Sequence, residues 1–197
     1  MKIKICGLSR DEDIAYVNKV KPDYIGFVFA KSKRQVSFKQ AQKLKQNLDK
    51  DIQAVGVFVD EKIDVIEELV KAQIIDMVQL HGHEDQDDID QLRTKIHCPL
   101  IKAIRIQSSQ DLQHYENIDY YLLDGAQPGS GQVFDWQCIQ NLDKPFFLAG
   151  GISLDNIEEA LKMPCWGIDV SSGVETEGVK DQKKIEELVR RVRNGCR

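Results

Sequence analysis

The feature that most constrains this chain is a repeated alternation of two patterns. Short runs rich in β-branched and aromatic residues recur along it: IKIC (3–6), YIGFVF (24–29), AVGVFV (54–59), MVQL (77–80), LIKAIRI (100–106), YYLLD (120–124), FFLAG (146–150) and WGIDV (166–170). Most are apolar on both faces, as strands covered on both sides must be. Polar stretches with helical spacing lie between them. Ile185, Leu188, Val189 and Val192 give one apolar stripe, Ile63, Ile66, Leu69 and Val70 a second, and Leu154, Ile157, Ala160 and Leu161 a third. Ser37, Asp60 and Ser153 are the expected N-caps. Pro22, Pro99, Pro145 and Pro164 stand where a helix must stop before the next strand.

Strict alternation of strand and helix forces parallel pairing with right-handed crossovers. Eight strands and about eight helices in 197 residues leave roughly 25 residues per unit, enough for a small (β/α)8 barrel. The expectation is one α/β domain over 1–197, a single parallel (β/α)8 barrel. An open doubly wound sheet is the competing architecture. It would normally carry a Gly-rich nucleotide turn after its first strand, and Cys6-Gly7-Leu8-Ser9 is not one.

Composition narrows the function. The net charge is −5, with acidic and basic residues interspersed, so a nucleic-acid footprint is not expected. The five cysteines, Cys6, Cys98, Cys138, Cys165 and Cys196, include no C-x-x-C pair. That argues against a disulfide framework or structural zinc, and for reduced thiols in the cytoplasm. The apolar stretch of MKIKICGLSRDED is too short and interrupted for a signal peptide, and no segment suits a membrane span.

In such a barrel, active sites sit at the C-terminal ends of the strands. The candidates are then rim residues. Two glycine- and serine-containing turns, AGGIS (149–153) and SSG (171–173), follow strands seven and eight. Barrels often bind phosphate there, because glycines let backbone N–H groups approach an anion and a helix N-terminus adds positive potential. Gly150, Gly151, Ser172 and Gly173 are the expected phosphate ligands, and the substrate is a small phosphorylated molecule. Cys6 ends strand one beside Gly7. A thiol, with an ordinary pKa of about 8.5, can be tuned to act as a base. Asp124 ends strand six after an apolar run, where a poorly solvated carboxyl suits general-acid work. Asp169 ends strand eight as a substrate-hydroxyl ligand or an orienting group. Arg34, in the loop after strand two, suits a substrate carboxylate better than its lysine neighbours. Gln79 and His81 are read as facing the substrate. His81, His83 and Glu84 invite a metal reading, but no second cluster stands at other strand ends, and none is expected.

Together these residues resemble the phosphoribosylanthranilate isomerase family. The family's KICGL stands at 4–8, its GFVF at 26–29, S-x-R-x-V-S at 32–37, and VQLHG at 78–82. LLD stands at 122–124, FDW at 134–136, LAGGI at 148–152, and GIDVSSGVET-x-G-x-KD at 167–181. The resemblance covers the chain in order. It implies a cofactor-free Amadori rearrangement of N-(5-phosphoribosyl)anthranilate in tryptophan biosynthesis, with Cys6 as base and Asp124 as acid. Arg34 would hold the anthranilate carboxylate, in a monomer or homodimer. Two departures stand out: Lys33 where the family often has proline, and a shorter segment, lacking its lysine, at 129–133. The nearest alternative is another phosphosugar isomerase or epimerase. The histidine-pathway isomerase would place an aspartate where Cys6 stands. A binding barrel without turnover is the non-enzymatic alternative.

Overall fold

A computed structural model describes residues 1–106, 111–125, 139 and 142–195. Eight parallel strands close into a barrel in sequence order: β1 (Lys2–Cys6), β2 (Tyr24–Val28), β3 (Gln53–Phe58), β4 (Met77–Leu80), β5 (Leu100–Ile106), β6 (Tyr120–Gly125), β7 (Phe146–Leu148) and β8 (Gly167–Val170). The last strand pairs with the first, Lys4 opposite Asp169. The helices are α1 (Asp11–Val20), α2 (Phe38–Gln46), α3 (Ile63–Lys71), α4 (Gln86–Arg93), α5 (Ile157–Ala160) and α6 (Gln182–Asn194). A short hairpin, β9 (Glu175–Thr176) with β10 (Val179–Lys180), lies between β8 and α6. The described residues thus hold six α-helices rather than about eight. Residues 111–119, between β5 and β6, form no α-helix.

Two apolar layers follow from the alternation of side chains along each strand. Tyr24, Val55, Met77, Ile101, Ala103, Leu122, Phe147 and Ala149 fill the inside, with Tyr24 edge-on to Phe147 at 5.5 Å between ring centroids. The outward-facing strand residues, Ile3, Ile5, Ile25 and Phe27 among them, pack under the helices. The expected stripe on α6 is realised in full: Ile185, Leu188, Val189 and Val192 are all buried. Each such side chain contributes roughly 1.5–3 kcal/mol by leaving water.

Of the expected caps, Ser37 holds: its side chain accepts from the Gln40 amide at 3.2 Å. Asp60 does not cap α3, whose N-cap is Lys62. It takes a left-handed φ of 50° and accepts from the His83 amide instead. Ser153 is likewise displaced, because α5 is one turn long and starts after Asn156. Asp60 is taken up by its contact with His83, while the Ser153 hydroxyl accepts from the Asp155 amide at 3.2 Å in a turn ahead of α5.

Candidate active site

Parity along the strands sets the site. Lys4 and Cys6 face inward from β1, Gln79 from β4, Arg105 from β5, Asp124 from β6 and Asp169 from β8. The lower positions make the inner core, and the uppermost line a cavity of about 430 Å³ at the C-terminal mouth. Cys6, Arg34, Gln79, His81, Arg105, Asp124, Gly150, Gly151, Asp169 and Ser172 all border it. Nine of the ten residues expected from sequence therefore converge on one cavity, with Arg105 in addition. The exception is Gly173, next to the lining residue Ser172. A Cβ there would stand 2.0 Å from the Ile152 carbonyl oxygen, so this glycine lets the loops after β7 and β8 pack together. The segment 129–133 and Cys138 and Cys196 lie outside the described residues.

Cys6 stands beside Gly26 of β2, its partner in register. A Cβ on Gly26 would lie 2.6 Å from Cys6 Sγ, so the thiol occupies the space a side chain would take. Beneath it, Lys4 is fully buried, its Nζ 3.1 Å from Asp169 Oδ1. Burial pulls this ammonium down, but Asp169 and Cys6 more than offset that, so the lysine stays charged. Burial pushes the Cys6 thiol up, opposed by the positive charges of Lys4 and Lys180, and the net position is above the ordinary range. The charges oppose a desolvation penalty that would otherwise suppress the thiolate.

Arg34 is held from β8's side of the mouth. Its Nε donates to Glu175 Oε1 at 2.6 Å and its Nη2 to Glu175 Oε2 at 2.7 Å. Glu175 Oε1 also accepts from Lys180 Nζ at 2.6 Å, and that ammonium reaches the Ser171 carbonyl at 3.0 Å. The Ser171 hydroxyl in turn donates to the Cys6 carbonyl at 3.1 Å. Burial raises Glu175, but its two cations bring it below the ordinary carboxylate range. Glu175 and Lys180 were not singled out by sequence reasoning. The signal available was the Glu177-Gly178 turn, with φ of 53° and 80°, which pairs Glu175 with Lys180 across a two-residue hairpin.

The opposite wall is built differently. Gln79 is buried, and its amide nitrogen lies 2.8 Å from His81 Nδ1. Donation from that amide leaves the ring proton on Nε2, which faces Asp124 Oδ2 at 3.3 Å. Gln79 therefore supports His81 from beneath. Gly150, with a left-handed φ of 84°, brings the end of β7 against Asp124. A Cβ there would lie 2.8 Å from Asp124 Oδ1 and 2.4 Å from the Gly125 nitrogen. Neither glycine turn runs directly into an α-helix, since α5 begins at Ile157 and α6 only beyond the hairpin. Any anion held there is held by loop amides. His83 is exposed and pairs with Asp60, while Glu84 is buried against Lys102 at 2.7 Å and the Gly82 and Asp60 amides. Neither borders the cavity, and no metal-ligating group of three or more His, Cys, Asp or Glu exists among the described residues.

A thiol and a carboxyl facing one cavity, with an arginine and two glycine turns around them, can move protons on a small anionic substrate. The comparisons agree with that chemistry. The family model described as N-(5'phosphoribosyl)anthranilate (PRA) isomerase matches residues 3–191. An N-(5'-phosphoribosyl)anthranilate isomerase of Endomicrobium trichonymphae is 47% identical over 198 residues, 98% of each chain. The phosphoribosyl anthranilate isomerase structure from Thermotoga maritima superposes with a TM-score of 0.89 at 31% identity, covering 98% of this chain and 99% of that one. Another such isomerase, solved in complex with reduced 1-(o-carboxyphenylamino)-1-deoxyribulose 5-phosphate, gives 0.83 at 28% identity over 98% and 99%. On this evidence the chain belongs to the N-(5'-phosphoribosyl)anthranilate isomerase family.

Proposed function

We propose that this protein catalyses the Amadori rearrangement of N-(5-phosphoribosyl)anthranilate to the 1-(2-carboxyphenylamino)-1-deoxyribulose 5-phosphate. One observation carries the assignment of roles: Cys6 and Asp124 face the same cavity from different strands, with Arg34 and the glycine turns on its border. Asp124 gives its proton to the furanose ring oxygen as the C1–O bond breaks. The nitrogen lone pair forms the iminium that results. This acidifies the C2 proton, which the Cys6 thiolate removes. The C2 electrons form the C1–C2 double bond as the iminium electrons return to nitrogen, and the enolamine then takes a proton at C1 while its C2 hydroxyl gives one up, leaving the ketone. The substrate's own nitrogen is the electron sink, so no cofactor enters.

The remaining residues bind and orient. The anthranilate carboxylate meets Arg34, and the phosphate meets loop amides at Gly150, Gly151 and Ser172. Gly173 contributes by letting those two loops close together. Lys4 holds charge under the thiol and Asp169 neutralises it in part. His81, steadied by Gln79, fixes the Asp124 carboxyl. The direct test follows the loss of substrate fluorescence with freshly generated phosphoribosylanthranilate, in the presence of a chelator. Turnover is expected. Binding of substrate with no turnover would overturn the reading in favour of an inactive binding barrel.

A further inference from the structure

The hairpin after β8 carries more structure than a connection needs. Its two-residue turn places Glu175 opposite Lys180, side by side on adjacent strands. Both strands are pinned through their carbonyls. Lys184 Nζ donates to the Glu175 oxygen at 2.6 Å, and Arg10 Nη2 to the Lys180 oxygen at 3.0 Å. Arg10 is itself fixed by two bonds to Asp13. The Glu175 and Lys180 side chains are almost wholly buried, at 7% and 1% exposure, although they sit at the mouth of the barrel.

Their contacts select one edge of Arg34. Glu175 occupies Nε–H and one N–H of Nη2. A guanidinium has a second fork, formed by Nη1 and the other N–H of Nη2. That fork takes no partner among the described residues, and Arg34 borders the cavity. Charge counting explains the third member. Glu175 alone would cancel Arg34. With Lys180 bonded to the same carboxylate, the group of three keeps one net positive charge at the mouth.

We propose that Glu175 and Lys180 are positioning residues for Arg34, holding its guanidinium so that the free fork and one net positive charge meet the substrate carboxylate. Glu175 fixes the orientation, and Lys180 restores the charge that Glu175 removes. This inference rests on the reading of Arg34 as the carboxylate ligand. An arginine held this way loses little freedom on binding, which favours affinity for the carboxylate over acceleration of proton transfer.

The test measures kcat and KM for the wild type, R34A, E175Q, K180M and the R34A/E175Q double variant, together with inhibition by inorganic phosphate. R34A probes the underlying reading, and a KM no different from wild type would end it. If R34A raises KM, E175Q should raise KM about tenfold, the scale of a misplaced binding group, with kcat within about threefold of wild type. Adding E175Q to R34A should cost little more than R34A alone, because Glu175 acts through Arg34. K180M should raise KM by a smaller factor. The inhibition constant of phosphate should stay unchanged in E175Q and K180M. Three results would overturn the proposal: multiplicative losses in the double variant, a fall in kcat with KM unchanged, or weakened phosphate inhibition in step with KM. The last would mean that the hairpin only supports the loop. Should E175Q fail to fold, K180M and its phosphate control decide the matter by the same criteria.

Discussion

The two walls of the cavity solve opposite problems. The wall formed by β1, β2 and β8 is ionic. Lys4 pairs with Asp169 beneath Cys6, and Arg34, Glu175 and Lys180 form a bonded row above it. The wall formed by β4 to β6 relies on a chain of polar contacts, Gln79 to His81 to Asp124, with Arg105 exposed nearby and unpaired among the described residues. A base drawn from a buried thiol needs positive charge to exist as thiolate. An acid must keep its proton until substrate arrives, and a fixed ammonium beside it would work against that. Among the described residues the only side chain within ion-pair reach of Asp124 is His81.

The sharpest way to break this comparison is to remove one group from each wall. Cys6→Ala and Asp124→Asn should each lower kcat by at least about a hundredfold, the usual scale for an acid or base. Near-wild-type turnover by either would strike that residue, and with it that wall, from the mechanism. A smaller loss, tens-fold in kcat, is expected of Gly26→Ala, since its new Cβ would stand 2.6 Å from Sγ, too close for the thiol to keep its place. Circular dichroism should show the barrel intact. A variant with full activity would mean that the thiol's placement is not critical. The mildest probe is pH. The thiol lies above the ordinary range and the thiolate is the active form, so kcat/KM should climb as pH rises towards the thiol pKa, approaching tenfold per unit below it. A flat profile from about pH 7 to 9 would contradict an ionic wall built to form a thiolate.

The same contrast marks what could be read from the sequence. Strands were legible almost to the residue, because burial on both faces leaves uninterrupted apolar runs: MVQL and LIKAIRI match β4 and β5 end to end. Rim positions then followed from the rule that places active sites at the C-terminal ends of barrel strands, and Cys6, Gln79, Asp124 and Asp169 all border the cavity. The stretch 111–119 resisted because Leu112, Tyr115 and Ile118 bury apolar surface without helical hydrogen bonds, and the Tyr121 hydroxyl accepts from the Tyr115 amide instead. The Arg34–Glu175 clasp was invisible for another reason. It joins two loops 141 residues apart, and no spacing rule links them. At Gly173 the anion-turn reading saw one use of a glycine, and its close packing against Ile152 is a second that depends on the loop after β7 and so was not legible.

The pairing of β8 with β1 has a consequence for how this protein comes into being. The first strand made carries the thiol, and its charged support arrives with the last: Asp169 for Lys4, then Ser171, Glu175 and Lys180 around Cys6 and Arg34. A chain that has been synthesised only through β7 holds Cys6, Arg34 and Asp124 with Lys4, Gln79 and His81, but lacks Asp169, Ser171, Glu175 and Lys180. The seam of the barrel is therefore also its commissioning step, and turnover reports that the circle has closed.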